Sequence, residues 1–164
     1  LKGKPVPTAE SGGTTVHSYW NSVLDDSCVA GSPGKTNYCS FSAYLYPFLS
    51  TPAFIYKDQR DRKHVGDMGA VEPYDKGEVE YLKNYMAKSR ASLKDVKAFF
   101  SPAIGEHTAL AEHFFYTVKI EGHTFAETLG NWYHGRSGPV RLMTDEETAN
   151  KQLLKAARGN AGAQ

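Results

Sequence analysis

Pro52-Ala53-Phe54-Ile55-Tyr56 and Val96-Lys97-Ala98-Phe99-Phe100 are the two stretches that decide the fold class. Both are short, apolar and rich in aromatic or β-branched residues, as a strand buried on both faces of a parallel sheet must be. Each runs into a loop with one residue able to do acid–base chemistry: Asp61 after the first, His107 in Gly105-Glu106-His107 after the second. Between them, Asp75 and Glu78 form a capping-box pair ahead of Val79, Leu82 and Met86 at helical spacing, which predicts a helix over 76–91. Parallel strands joined by a crossover helix bring both loops to one edge of the sheet, where open α/β sheets hold ligands and chemistry.

Strand then acid, helix, strand then histidine is the order in which an α/β-hydrolase ends, its triad running Ser, Asp, His along the chain. In such a triad the carboxylate fixes the tautomer and orientation of the imidazole, whose other nitrogen takes the serine proton. No nucleophile elbow precedes Asp61 here. The plainer reading of the same residues is a surface Asp and a helix-capping His. The fold class read from the order is α/β, the C-terminal portion of an α/β-hydrolase fold, a parallel sheet with flanking helices that is incomplete without an N-terminal half. The chain has 164 residues and is 40% hydrophobic, enough for one core. A whole hydrolase sheet, with its crossovers, usually needs well over ~200 residues. The expected layout is an exposed arm over 1–16, the C-terminal part of a hydrolase domain over 17–142, and a terminal helix with a disordered tail over 143–164.

Nineteen basic and 18 acidic residues leave a formal charge of +1, without long blocks of like charge, so nucleic acid and polybasic membrane contacts are disfavoured. No apolar run approaches the ~20 residues of a membrane span, and the first residues lack the apolar core of a signal peptide. The two cysteines, Cys28 and Cys39, bracket a turn-rich polar loop. The residues alone point to a local disulfide and an oxidising compartment, with two unpaired thiols as the alternative.

Around this centre, Phe41 to Leu49 is dense in aromatics, and Pro47 argues against a central strand there. Those aromatics serve either as core or as the wall of an acyl or sugar pocket. Phe114 to Glu121 reads as a short strand outside the main sheet. Thr124 and Glu127 make a second capping box, opening a helix whose Phe125, Leu129 and Trp132 share a face and which Gly135 to Pro139 breaks. A polar helix is expected from Asp145 to Arg158, with a disordered end beyond it.

Three other patterns imitate sites. Gly31-Ser32-Pro33-Gly34-Lys35-Thr36 looks like the end of a phosphate loop, but Val29 stands where that motif begins with Gly. Gly135-Arg136-Ser137-Gly138 falls one residue short of Gly-x-Ser-x-Gly, follows a helix and comes after His107, so Ser137 reads as a turn residue. Glu106-His107 and Glu112-His113 do not match zinc-binding His-Glu-x-x-His, and His64, His113, His123 and His134 have no fixed partner, so neither a metal nor a cofactor is expected.

Tyr19-Trp20-Asn21-Ser22-Val23, Cys28, Cys39-Ser40-Phe41, Tyr46-Pro47-Phe48-Leu49-Ser50-Thr51-Pro52-Ala53-Phe54-Ile55, Asp61, Phe100-Ser101-Pro102-Ala103 and His107 together resemble the C-terminal half of the pectin acetylesterase/Notum family. Leu129-Gly130-Asn131-Trp132-Tyr133 and Arg136 resemble its closing helix, so the likeness runs over residues 17–136. The resemblance implies a secreted serine carboxylesterase of α/β-hydrolase fold, acting on acetylated pectin or on the lipid of an acylated protein. It implies Asp61 and His107 as the triad acid and base, Cys28 with Cys39 as a disulfide, and Phe41 at the acyl pocket. Two positions depart from the family. Asp61-Arg62-Lys63-His64 replaces its usual Asp-x-x-Gln, and Glu106 puts a carboxylate beside His107 that would raise its pKa or compete for its proton.

The expected partner is the N-terminal half of the same fold, on a separate chain or from a cleaved precursor, carrying the nucleophilic Ser. By itself the chain is expected to hydrolyse nothing. The alternative is a catalytically inactive, hydrolase-derived structural subunit of a larger assembly. The expected location is extracellular or in the lumen of the secretory pathway.

Overall fold

A computed structural model describes residues 23–110 and 112–158. The expected arm over 1–16, the Tyr19-Trp20-Asn21 segment and the tail from 159 lie outside the described residues. The chain divides into two compact units, with the division between Ala53 and Phe54.

In the first unit, α1 (Asp26–Gly31) begins where the Asp25 carboxylate accepts the Cys28 N–H at 2.9 Å. A 3₁₀ turn over Thr36–Ser40, α2 (Ser42–Leu45) and a second 3₁₀ turn over Tyr46–Phe48 follow, so Pro47 sits in a turn rather than a strand. Cys28 and Cys39, both buried, are joined by a disulfide across a separation of 11 residues. A loop of that length is stabilised by ~2–3 kcal/mol when closed. Gly31 lies against the Phe48 ring so closely that a Cβ there would stand 2.4 Å from it, which leaves room only for glycine. Tyr44 completes the packing, 5.3 Å from Tyr38 and 6.0 Å from Phe48 between ring centroids.

The second unit runs β1 (Ile55–Tyr56), α3 (Arg62–Asp67), α4 (Lys76–Ser92), β2 (Phe99–Ser101), α5 (Phe114–Thr117), β3 (Lys119–Ile120), β4 (His123–Thr124), α6 (Phe125–His134), β5 (Arg141–Met143) and α7 (Glu146–Ala157). β1, β2 and β5 form a parallel sheet with β2 in the middle, Tyr56 opposite Phe100 and Phe100 opposite Leu142. Helices and a parallel sheet are compatible with an α/β fold. The strands are short, but hydrogen bonding continues past them. Ile55, Lys57 and Gln59 donate their N–H groups to the carbonyls of Ala98, Phe100 and Pro102 at 3.0, 3.2 and 2.7 Å. On the other side Phe99 donates to Val140 and Ser101 accepts from Thr144 at 2.9 and 3.0 Å.

Gln59 holds the three strand ends together. It is fully buried, and its amide nitrogen donates to the carbonyls of Ser101 and Thr144 at 3.1 and 2.8 Å, while its oxygen accepts from Arg90 of α4 at 3.1 Å. Arg90 also pairs with Glu146 at 3.4 Å, linking α4 to α7, and the two helices pack together. Both predicted capping boxes form, Asp75 with Glu78 at α4 and Thr124 with Glu127 at α6. α4 buries Leu82, Tyr85, Met86 and Ser89, the spacing of one helical face. α6 places Phe125 against Phe100 of the central strand, with rings 5.3 Å apart, and against Phe54 and Tyr56 at 5.8 and 5.2 Å.

Some elements depart from the sequence reading. The second strand begins at Phe99 rather than Val96, because Val96 is still held in a turn, donating to Leu93 at 3.2 Å. The segment read as a strand from Phe114 is helical to Thr117 before the β3–β4 hairpin, which does lie outside the main sheet. A strand would send neighbouring residues to opposite faces, whereas one helical turn lets Phe114 and Phe115 both join the same aromatic core. β5 carried too short an apolar run to be read as a strand.

Gln59→Leu removes the amide that satisfies two buried carbonyls and leaves Arg90 without one of its partners. The substitution is expected to destabilise the folded protein by about 2–4 kcal/mol, measured as a lowered urea midpoint. A change under about 0.5 kcal/mol would show that the strand ends do not depend on Gln59.

Candidate active site

The loops beyond β1 and β2 lie side by side because the backbone ladder continues into them. Asp61 is not in an open loop but caps α3, its Oδ1 accepting the His64 N–H at 3.0 Å. Its Oδ2 lies 2.8 Å from Nδ1 of His107. The carboxylate is nearly buried, with 11% of its side chain exposed, whereas 55% of the His107 side chain is exposed. Among the described residues Nε2 of His107 has no hydrogen-bond partner. This is the geometry of an oriented imidazole: one nitrogen held by a carboxylate, the other left free of partners among the described residues on a half-exposed ring.

The departures noted in the sequence take definite places here. Glu106 accepts from Arg62 Nη2 at 2.7 Å, and Arg62 Nε also donates to the Gly105 carbonyl at 2.8 Å. The Glu106 carboxylate is thus engaged with arginine rather than with the imidazole. His64 serves Asp61 through its backbone, and its ring lies 6.2 Å from that of Tyr85. Partial burial, and then the charge of Lys57, push its pKa below the ordinary histidine range. His113, His123 and His134 sit at the start of α5, in β4 and at the end of α6. Among the described residues no group of three or more His, Cys, Asp and Glu is placed to hold a metal ion. Phe41 belongs to the first unit, half-buried before α2.

Asp58 was not singled out in the sequence. Only 2% exposed, it accepts N–H groups from Ile104, Gly105 and Glu106 on Oδ2 at 3.2, 2.9 and 3.0 Å and from Arg60 on Oδ1 at 2.8 Å. Arg60 is buried too, donating to the Ile104 carbonyl at 3.1 Å and pairing with Glu72. Gly105 must be glycine: its φ is 89°, and a Cβ would lie 2.8 Å from the Arg60 guanidinium. The phenol of Tyr56 reaches the Glu106 carbonyl at 3.4 Å. The one signal available in the sequence was Asp58 among charged residues directly after a buried strand.

Burial pushes the Asp58 carboxyl up to about 6 from an ordinary 3.8, although its backbone hydrogen bonds and the Arg60 charge act the other way. Between those values the folded protein holds a proton that the unfolded chain releases. The contribution of Asp58 to stability is therefore greatest below pH 3.8 and is lost as the pH rises through about 6. The change amounts to ~3 kcal/mol. Unfolding free energies measured across this window should fall more steeply with pH in the unmodified protein than in Asp58→Ala. Equal slopes would contradict the assignment.

No protein-family profile matches the chain. Curated relatives include the palmitoleoyl-protein carboxylesterase notum1a of Danio rerio, 28% identical over 117 residues that make up 70% of this chain and 23% of the relative. The palmitoleoyl-protein carboxylesterases NOTUM of Homo sapiens and Drosophila melanogaster are 28% and 26% identical over 84% and 79% of this chain, and 27% and 20% of their own. The chain spans about a quarter or less of the length of these relatives. Over most of its own length the chain is similar to carboxylesterases of the Notum type, consistent with a Notum/pectin acetylesterase-like family.

Proposed function

We propose that this chain supplies the acid and base of a carboxylic ester hydrolase, Asp61 and His107, to a Ser-His-Asp triad whose serine lies in an N-terminal half of the same fold. The observation that carries the reading is the 2.8 Å contact between Asp61 Oδ2 and His107 Nδ1 at the ends of adjacent parallel strands. Similarity to carboxylesterases supports it. In the reaction, Nε2 of His107 takes the proton of the serine hydroxyl as it attacks the ester carbonyl, then returns it to the leaving alcohol. Asp61 holds the ring with Nδ1 protonated and stabilises the imidazolium. Water then repeats the cycle on the acyl-enzyme.

Residues 17–142 form the C-terminal part of the hydrolase domain in this reading, with 143–164 a terminal segment. β1 pairs only with β2 among the described strands, and its other edge is where a strand of the N-terminal half would add. The substrate is an ester of an acylated protein or an acetylated polysaccharide. The disulfide fits a secreted protein, and among the described residues no helix is long and apolar enough to cross a membrane. The intact pair favours this reading over an inactive structural subunit, which would have no need to keep a buried carboxylate aligned on an exposed imidazole.

In the protein assembled with its N-terminal half, hydrolysis of p-nitrophenyl acyl esters should fall by about 10⁴ in His107→Ala and by somewhat less in Asp61→Asn. Full activity in His107→Ala would move the assignment to the structural-subunit reading.

A further inference from the structure

Oδ2 of Asp58 faces the N–H groups of three successive residues, Ile104, Gly105 and Glu106, immediately before His107. Consecutive amides turned toward one point make a concave anion site. Here the anion is the chain's own carboxylate, carried by the loop that also carries Asp61. The ligand at one end of the clip and the residue at the other are thus both three residues or fewer from the candidate acid and base. We propose that Asp58 is a positioning residue for the proposed hydrolysis, holding the 104–106 backbone so that the His107 ring meets Asp61. The inference rests on the esterase reading of the Asp61–His107 pair.

Three features support it. The site is closed: Asp58 is 2% exposed, so water does not replace the amide bonds. The arrangement is specific to a carboxylate, since both oxygens accept and neither donates. An amide would turn its NH₂ either to the Arg60 N–H or to the three loop amides and lose one arm of the clip. Lastly, the group is held where burial disfavours its charge, with the Arg60 charge beside it and the Tyr56 phenol close enough to feel it. A charge kept at a net cost in stability fits a role in fixing geometry rather than in adding stability.

The test is Asp58→Asn in the assembled protein, beside His107→Ala, with rates normalised to serine titrated by a fluorophosphonate. The expected result is a kcat lower by about 10- to 100-fold with KM changed less than about twofold, since a small misplacement of the base acts on chemistry rather than on binding. A merely structural role would lower the amount of active enzyme but not kcat per titrated serine. Wild-type kcat in Asp58→Asn alongside an inactive His107→Ala overturns the positioning role and leaves the esterase reading standing. Amide hydrogen exchange in the unmodified protein gives a second reading that needs no variant. Ile104, Gly105 and Glu106 should exchange slowly, and in Asp58→Asn these three should lose protection while Phe99 to Ser101 keep theirs. Unprotected amides at 104–106 in the unmodified protein overturn the proposal even if His107→Ala retains activity and the esterase reading has failed.

Discussion

A buried carboxylate binds the loop after β1 to the loop after β2, a buried amide binds it to the ends of β2 and β5, and in this account the candidate site depends on that binding. Strands of two or three residues would be too short to fix the separation of two side chains beyond their ends. Asp58 and Gln59 extend the order, Asp58 through the amides before His107 and Gln59 through the carbonyls that end β2 and follow β5. Lys57 contributes as well, its carbonyl accepting from Ser101 Oγ at 2.7 Å. The five residues from Lys57 to Asp61 thus tie the first strand to the second before the chain turns into α3.

Behind this polar seam lies an aromatic core. Phe125, at the first turn of α6, contacts Phe54, Tyr56, Phe100 and Phe115, so one helix N-terminus is packed against both β1 and β2. Its capping box fixes where the helix starts, and therefore where Phe125 meets the strands. Rings held on several sides lose little further freedom and supply large buried area. The seam sets the positions of polar atoms while the core keeps the sheet and α6 from sliding past each other.

The capping signals and apolar strands were legible in the sequence because they are local: Asp75 with Glu78, Thr124 with Glu127, Phe99-Phe100. The pairing of Asp61 with His107 was legible from chain order and resemblance, since each follows a strand and adjacent parallel strands end on one edge. What stayed hidden depends on partners distant in sequence. Asp58 and Gln59 look like ordinary polar loop residues, and only the fold shows that their partners are backbone groups at 101–106 and 144. The helical turn at Phe114 was hidden for a related reason: its conformation is set by the aromatic core it joins, not by its own alternation. α3 was missed because its cap is Asp61, whose carboxylate also serves His107.

In this account the Asp61–His107 pair is half of a catalytic apparatus, aligned by a buried clip and completed by a serine from the N-terminal half. The most direct measurement is a crystal structure of the assembled protein after reaction with a fluorophosphonate. The account predicts phosphonylation of one serine in the N-terminal half, its Oγ within about 3 Å of His107 Nε2, with Asp61 still on Nδ1. A labelled serine remote from His107, or an assembled protein with no serine that reacts, would contradict it.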